Sequence, residues 1–159
     1  MPADRRTFLA AVAATTVACG SHSSPWRFFT REEGRTLEAI CARIIPDDQD
    51  PGAAQAGAVV FLDRQLTGFY KHLQTTYREG IAAVDRAAIG RFAAAFVNLN
   101  PPQQTELLEA LDRQHMPFFD LLVSHTMQGY YGSPRHGGNR DAVSWKMLGV
   151  PYPPVRGRV

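Results

Sequence analysis

The side chains that could do chemistry in this sequence are scattered and form no familiar catalytic pattern. The five histidines, at positions 22, 72, 115, 125 and 136, never lie three or four residues apart. Such spacing places two ligands on one helix face, so its absence argues against a helical zinc site. His115 and His125, with Asp120 between them, are the candidates if the chain is an enzyme in its own right.

The short motifs that hold common cofactors are also missing. There is no Gly-x-Gly-x-x-Gly, no Walker A loop and no Cys-x-x-Cys-His. Two cysteines, Cys19 and Cys41, are too few for an iron–sulfur cluster. We therefore expect this chain to hold no cofactor, to bind no metal and to carry no catalytic residue.

A turn rich in carboxylates, Asp47-Asp48-Gln49-Asp50, raises the question of calcium. The EF-hand spacing and its distal glutamate are absent, so a solvated loop is the favoured interpretation. The formal net charge is only +2, and no basic run follows Arg5-Arg6. Nucleic acid is therefore not an expected partner.

The most distinctive segment is Gln128–Pro154, which combines glycine and proline with tyrosine and tryptophan. Its glycines and prolines argue against a regular helix or strand, and its aromatic residues argue against a disordered tail. We predict a long ordered loop that contacts a partner protein. The candidate interface residues are Tyr130, Tyr131, His136, Asn139, Arg140 and Trp145, because such side chains dominate interface hot spots. The alternative, that they lock the loop to its own helices, stays open.

The first twenty residues are typical of an export signal. Arg5 and Arg6 precede an apolar run, Phe8–Ala18, which is too short to span a bilayer. The arrangement resembles the twin-arginine motif. Thr16-Val17-Ala18-Cys19 resembles a lipobox, so Cys19 is a candidate for lipidation, whereas the small residues around Ala18 also suit ordinary signal peptidase. The predicted divisions are a signal (1–20), a linker (21–29) and a domain (30–159).

Helical periodicity dominates the remaining chain. Thr30 and Glu33 form a capping box before an apolar stripe that ends at Pro46, and Cys41 within it is interpreted as a small buried hydrophobe. A second helix is predicted over about 54–73, with Phe69 on its apolar face. A third is predicted over 77–96, with Gly90 as a break or close-packing point.

Two further helices follow. Asn100, Pro101 and Gln103 predict the start of one, and Pro117 predicts the start of another that ends at Gly129. No strand pattern persists. We expect an all-α fold of about five helices in a compact bundle, with the long C-terminal loop draped across it.

With these residues in place, the chain resembles the gluconate 2-dehydrogenase subunit 3 family. The leader and the Ile44-Ile45-Pro46-Asp47 helix end contribute weakly. Most specific is the C-terminal pattern. The segments that carry the resemblance are Arg5–Leu9, Leu37–Pro46, Asp50-Pro51-Gly52-Ala53, Tyr77-x-x-Gly80-Ile81, Val84-Asp85, Gly129-Tyr130-Tyr131-Gly132-x-Pro134, Gly137-Gly138-Asn139-Arg140-Asp141, Trp145-Lys146 and Gly149-x-Pro151.

The resemblance implies a non-catalytic small subunit of a periplasmic dehydrogenase for sugars or polyols. The large subunit, of the glucose–methanol–choline type, would carry FAD and the active site, and a multihaem cytochrome c would accept electrons. The small subunit would support maturation, stability and export of the flavoprotein through the twin-arginine translocase. The complex would be membrane-associated through its subunits or a lipid anchor. The alternative is a free-standing exported lipoprotein with a binding or scaffolding role.

Overall fold

Six α-helices make up most of the computed structural model, which describes residues 24–151. No strand occurs in this part of the chain. The helices are α1 (Arg31–Ile44), α2 (Ala58–Leu66), α3 (Gln74–Phe92), α4 (Pro101–Arg113), α5 (Pro117–Tyr131) and α6 (Val143–Met147). The predicted all-α class is confirmed. The sixth helix is the short α6, which lies inside the segment that was expected to be irregular throughout.

The starts of three helices follow directly from local sequence. Thr30 and Glu33 form a complete capping box at α1, and Asn100 and Gln103 form another at α4. Each cap satisfies amide groups that have no partner within the helix itself. Pro117 occupies the first position of α5, where the missing N–H costs nothing. These three predictions are confirmed.

The second helix is shorter than predicted. It begins after Gly57, whose φ of 78° is open to glycine at little cost, and ends at Leu66. The Thr67 hydroxyl then donates to the carbonyl oxygens of Asp63 and Arg64 at 3.3 and 3.0 Å. A turn and a 3₁₀ segment replace the expected last two helical turns. Phe69 therefore does not lie on a buried helix face, and that prediction is wrong.

The third helix also ends earlier than predicted, at Phe92. Ala93 adopts φ 55°, and the Asp85 carboxylate accepts a hydrogen bond from the N–H of Phe96 at 2.9 Å. This bond turns the chain back towards α3. Gly90 is neither a break nor a close-packing point, because it lies inside the helix with no other atom near the place of a side chain. The prediction for Gly90 is therefore wrong.

Helix α1 lies at the centre and contacts α2, α3, α4 and α5. Cys41 on its buried face is fully inaccessible and lies 3.4 Å from the Thr126 hydroxyl. This full burial confirms the buried-hydrophobe interpretation, and it raises the pKa of the Cys41 thiol to about 12. Gly80 leaves room for the ring of Phe118, which packs edge-on against Tyr77 at 5.4 Å. The helices thus share one core.

Residues 24–29, which lie within the predicted linker, pack on the domain; we call them the strap. Phe29 is 1% exposed and joins the core. The Asp63 carboxylate accepts hydrogen bonds from the N–H groups of Arg27, Phe28 and Phe29 at 2.8, 2.8 and 3.3 Å. The indole of Trp26 fills the space left by the missing side chain of Gly34. The folded unit therefore includes the strap before α1.

Candidate contact surface at the end of α5

Helix α5 continues two residues past Gly129, so the predicted helix end there is wrong, and the loop proper begins at Gly132. Gly129 fits closely against Ala58 and Phe61 of α2. A side-chain carbon at Gly138 would overlap the backbone oxygen of Gly129. The loop therefore packs on α5 at Gly138, and α5 packs on α2 at Gly129. Only glycine allows so close an approach at these two contacts.

Asn139 fixes the loop from inside. It is fully buried, and its side chain donates to the carbonyl oxygen of Gly132 at 2.9 Å and accepts from the N–H of Ser144 at 3.0 Å. The Ser144 hydroxyl donates to the carbonyl oxygen of Tyr130 at 2.7 Å. A buried amide with both ends bonded specifies one conformation. The loop between Gly132 and α6 is thus rigidly attached to the end of α5.

Tyr130 is also structural. It is 2% exposed, and its hydroxyl donates to the carbonyl oxygen of Pro51 at 3.0 Å. Burial, with smaller effects from Tyr131 and the acidic turn, raises the pKa of Tyr130. Tyr130 and Asn139 were predicted to contact a partner. Both side chains are enclosed by their own domain, which is the alternative that the sequence left open for them.

The other predicted interface residues have accessible side chains. Tyr131 is 37% exposed and meets the Tyr130 ring edge-on at 4.9 Å. His136 and Arg140 are exposed. Trp145 is partly buried and donates its indole N–H to the carbonyl oxygen of Tyr131 at 2.8 Å. The loop therefore holds Tyr131 and Trp145 together at the surface.

The sequence did not identify two exposed residues on α5 and on the turn that packs against it. Phe69 is 80% exposed in the turn after α2, and Met127 is 41% exposed one helical turn before Tyr131. The Phe69 ring contacts Tyr70, whose hydroxyl donates to Gln128 at 2.6 Å, so the turn lies against α5. Met127 could have been found from its four-residue spacing to Tyr131, but no local signal marked Phe69.

Together these side chains define what we call the apolar surface. Its members are large hydrophobic residues that the described part of the chain leaves exposed: Phe69, Met127, Tyr131, Met147, Leu148 and Val150. They lie on α5, on the turn that packs against it through Tyr70, and on the segment that Trp145 ties to Tyr131. Several exposed apolar side chains on such neighbouring segments are a candidate binding site, whereas single ones are ordinary. The same segments carry one carboxylate, Asp141, and four exposed cations, namely Lys71, Arg135, Arg140 and Lys146.

The histidines of the enzymatic alternative have different surroundings. His115 is exposed in the turn between α4 and α5, with φ 51°, and Asp120 is exposed on the first turn of α5. His125 is buried, stacked on Tyr70 at 4.3 Å and hydrogen-bonded through Nδ1 to the Tyr77 hydroxyl at 2.9 Å. Burial lowers the pKa of His125. No described hydrogen bond or ion pair joins the three residues.

The acidic turn binds its own backbone. Asp47 accepts from the N–H of Gly52 at 2.6 Å, and Asp48 accepts from the N–H of Asp50 at 2.8 Å. Within residues 24–151, no group of three His, Cys, Asp or Glu side chains is placed to hold a metal ion. None of the helices in this range is long and apolar enough to cross a membrane. The signal residues Arg5, Arg6 and Cys19 lie outside the described residues.

The fold and the surface define the class of protein as an all-α domain that presents exposed apolar side chains on and around a fixed loop. Sequence comparison then gives the family. The profile of gluconate 2-dehydrogenase subunit 3 matches residues 31–151, which is most of the chain, and the chain belongs to this family. No curated protein sequence and no solved structure matches it. The family is named as subunit 3 of gluconate 2-dehydrogenase, which implies that its members have partner subunits in a dehydrogenase complex.

Proposed function

We propose that this chain is the non-catalytic small subunit of an FAD-dependent sugar or polyol dehydrogenase of the glucose–methanol–choline type. In this role it binds the large flavoprotein subunit and supports its maturation and stability. The twin-arginine leader, with Arg5 and Arg6, carries the assembled flavoprotein to the periplasm. FAD belongs to the large subunit, and haem c to a third, cytochrome subunit. Membrane association comes from the complex or from lipidation of Cys19.

The observation that carries this proposal is the apolar surface on a fixed backbone. Asn139 and Tyr130 hold the loop in one conformation, so Tyr131 and its neighbours are preorganised for a partner. Preorganisation lowers the entropy cost of association. Apolar and aromatic side chains bordered by charged and polar residues are the composition expected at the core and rim of a protein interface. The family supplies the class of partner.

Binding is tested by co-expressing this chain with the flavoprotein dehydrogenase subunit of the same genome and purifying the complex. We expect Phe69→Asp combined with Leu148→Asp to abolish co-purification, because two charges are then placed on the apolar surface. The fold should be kept, since both side chains are largely exposed and contribute little to folding. Ile89→Asp is the matched control, since Ile89 is 55% exposed on α3, outside the apolar surface. Equal recovery of the flavoprotein with the unmodified chain, the double variant and the Ile89→Asp control would disprove the proposed surface.

Export is tested separately. Arg5→Lys and Arg6→Lys together should leave the flavoprotein in the cytoplasm, while the two chains still co-purify. Cell fractionation followed by flavin analysis of the periplasm measures this directly. A flavoprotein that reaches the periplasm, active and flavin-loaded, without this chain would show that the escort role is wrong.

A further inference from the structure

The imidazole of His125 is enclosed between the core and the turn that follows α2. Its ring lies parallel to the ring of Tyr70 at 4.3 Å, and its Nδ1 lies 2.9 Å from the Tyr77 hydroxyl. Tyr77 on α3 is fully buried, and His125 is 5% exposed. One face of the imidazole is therefore covered by the turn, and one edge is bound to the core.

The turn itself, residues 67–73, is attached to α5 by few contacts. Apart from the stacking of Tyr70 on His125, one described hydrogen bond joins the turn to that helix. It runs from the Tyr70 hydroxyl to Gln128 at 2.6 Å and is exposed. The N–H of Tyr70 donates to the carbonyl oxygen of Gln65, at the end of α2, at 2.7 Å. Exposed hydrogen bonds and few buried contacts are typical of a segment that opens locally at low cost.

A charge on His125 would not be balanced by the side chains around it. The titratable groups packed there are Tyr70 from the turn, Tyr77 from α3 and Cys41 from α1. Burial, followed by Cys41 and Tyr70, raises the pKa of Tyr77, so its hydroxyl stays neutral. Burial is also what lowers the pKa of His125, and no charged side chain of α1, α2, α3 or α4 contributes to that shift. Among the described residues, no ion pair includes His125.

The hydrogen bond to Tyr77 favours the neutral ring as well. The Tyr77 hydroxyl has no other described hydrogen bond, so it donates its proton to Nδ1 of His125, whose own proton lies on Nε2. A second proton would occupy Nδ1 and leave the hydroxyl proton without an acceptor. The charged ring is therefore stabilised by reaching water. Its way out passes the turn, because Tyr70 is half-buried whereas Tyr77 is fully buried.

Opening of the turn moves one member of the apolar surface. Phe69 is 80% exposed, and its ring contacts the ring of Tyr70 at 5.3 Å. The members on α5, Met127 and Tyr131, stay with the helix. When Tyr70 leaves His125, Phe69 is displaced from these two side chains. The apolar surface then loses the preorganised form that favours association.

We propose that His125 is a proton-sensitive switch for the apolar surface: protonation of its ring releases Tyr70 and the turn from α5 and weakens binding of the partner subunit. This role of His125 rests on the proposed function and adds regulation to it. Above the pKa of an accessible histidine, about 6.5, the ring is neutral and the turn is closed. As pH falls below that value, the ratio of open to closed turn rises by up to about tenfold per pH unit, until pH reaches the lower pKa of the closed state.

Hydrogen exchange of this chain alone measures the opening. The N–H groups of Tyr70 and Leu73 are hydrogen-bonded in the closed turn, so their protection reports its population. Between about pH 7.5 and pH 5.5, we expect their protection, corrected for the intrinsic exchange rate, to fall by up to about tenfold. Amides in the middle of α1 should change less, because the opening is local. Protection of the turn that does not change with pH would overturn the switch.

Three variants identify the group responsible. His125→Gln can still accept from Tyr77 but cannot be charged, so protection of the turn should no longer depend on pH. His72→Gln, at an exposed histidine of the same turn, should behave like the unmodified chain. Gln128→Ala leaves the buried ring unchanged and removes the one described hydrogen bond from α5 to the turn. It should lower protection at both pH values and keep the dependence on pH; unaltered protection would contradict the proposed attachment.

The effect on the partner is measured with the flavoprotein subunit of the same genome, purified alone, by biolayer interferometry at the two pH values. We expect the unmodified chain to bind about two- to tenfold more weakly at the lower pH, and His125→Gln to lose this dependence. His136→Gln, at the exposed histidine of the C-terminal loop, should keep the same ratio of affinities. Because the flavoprotein is the same in each titration, its own protonation cancels in the comparison.

The outcomes separate the switch from the proposed function. Equal dependence on pH in the unmodified chain and in His125→Gln would overturn the switch and leave the proposed function standing. Failure of the unmodified chain to bind the flavoprotein at about pH 7.5 would overturn the proposed function, and with it the effect on binding, even where exchange shows that the turn opens.

Discussion

The Asp63 carboxylate in α2 accepts a hydrogen bond from the backbone N–H of Phe28, at 2.8 Å, across 35 positions of sequence. The same carboxylate accepts from Arg27 and Phe29. The carbonyl oxygen of Phe28 in turn accepts from Arg78 at 3.2 Å, and the Arg78 guanidinium lies over the Phe28 ring. One buried carboxylate thus connects the strap to the helices.

Replacing Asp63 with alanine tests this connection. The change leaves the strap amides without their acceptor, so we expect a loss of about 2–4 kcal/mol in the free energy of unfolding, measured by urea titration. Glu79→Ala, at an exposed position of α3, should change stability by less than about 0.5 kcal/mol. If Asp63→Ala were as stable as the control, the three hydrogen bonds to Asp63 would not contribute to stability.

The side-chain hydrogen bonds that fix the C-terminal loop are tested at Asn139. Asn139→Ala leaves the Ser144 amide unpaired and places alanine at φ 45°, so it should cost about 2–3 kcal/mol. We also expect weaker flavoprotein binding, because Tyr131 and Trp145 lose their fixed support. His136→Ala, an exposed change in the same loop, is the control for stability. Full affinity in Asn139→Ala would show that the partner does not need a preformed loop.

Gly138 gives an independent test of how the C-terminal loop packs on α5. Gly138→Ala places a methyl group against the backbone of Gly129, which cannot move as a side chain can. We expect a cost of about 1–3 kcal/mol, typical of overpacking. Gly90→Ala is the matched change in open space and should stabilise α3 by about 0.5–1 kcal/mol. Thermal unfolding of the two variants distinguishes them, and a tolerated Gly138→Ala would rule out the close backbone contact.

The burial of His125 predicts a dependence of stability on pH. Its pKa is lowered in the folded state, so the unfolded chain binds the proton more readily. The favourable contribution of neutral His125 is therefore complete above the unfolded pKa of about 6.5 and declines as pH falls from there towards the folded pKa. Urea midpoints at about pH 7.5 and pH 5.5 measure the decline. His125→Gln should flatten it, whereas His115→Gln, at an exposed position, should not.

Cys41 should be inert in the native protein. Burial raises the pKa of its thiol to about 12, so little thiolate forms at neutral pH, and the side chain is inaccessible. In a Cys19→Ser variant we expect Ellman's reagent to react with Cys41 only after urea unfolding. Rapid reaction in native buffer would mean that α1 and α5 separate on the time scale of the assay.

The sequence by itself determined what depends on neighbours along the chain. The caps at Thr30 and Asn100 and the proline at position 117 act within one helical turn, so they could be predicted, as could the all-α class from apolar periodicity. The family could be recognised because the glycine and aromatic spacings of the C-terminal segment are fixed by its own packing. Gly129 and Gly138 meet backbone to backbone, and Tyr130 and Asn139 enclose that contact.

Only the tertiary structure decided which side chains of that segment reach solvent. Tyr130 and Tyr131 are adjacent in sequence, yet one is buried against Pro51 and the other is exposed, because α2 and the acidic turn cover only one side of α5. Phe69 is exposed because α2 ends three residues before it. The strap depends on Asp63, a residue far away in sequence. Burial and charge compensation arise from such long-range contacts, and no local pattern encodes them.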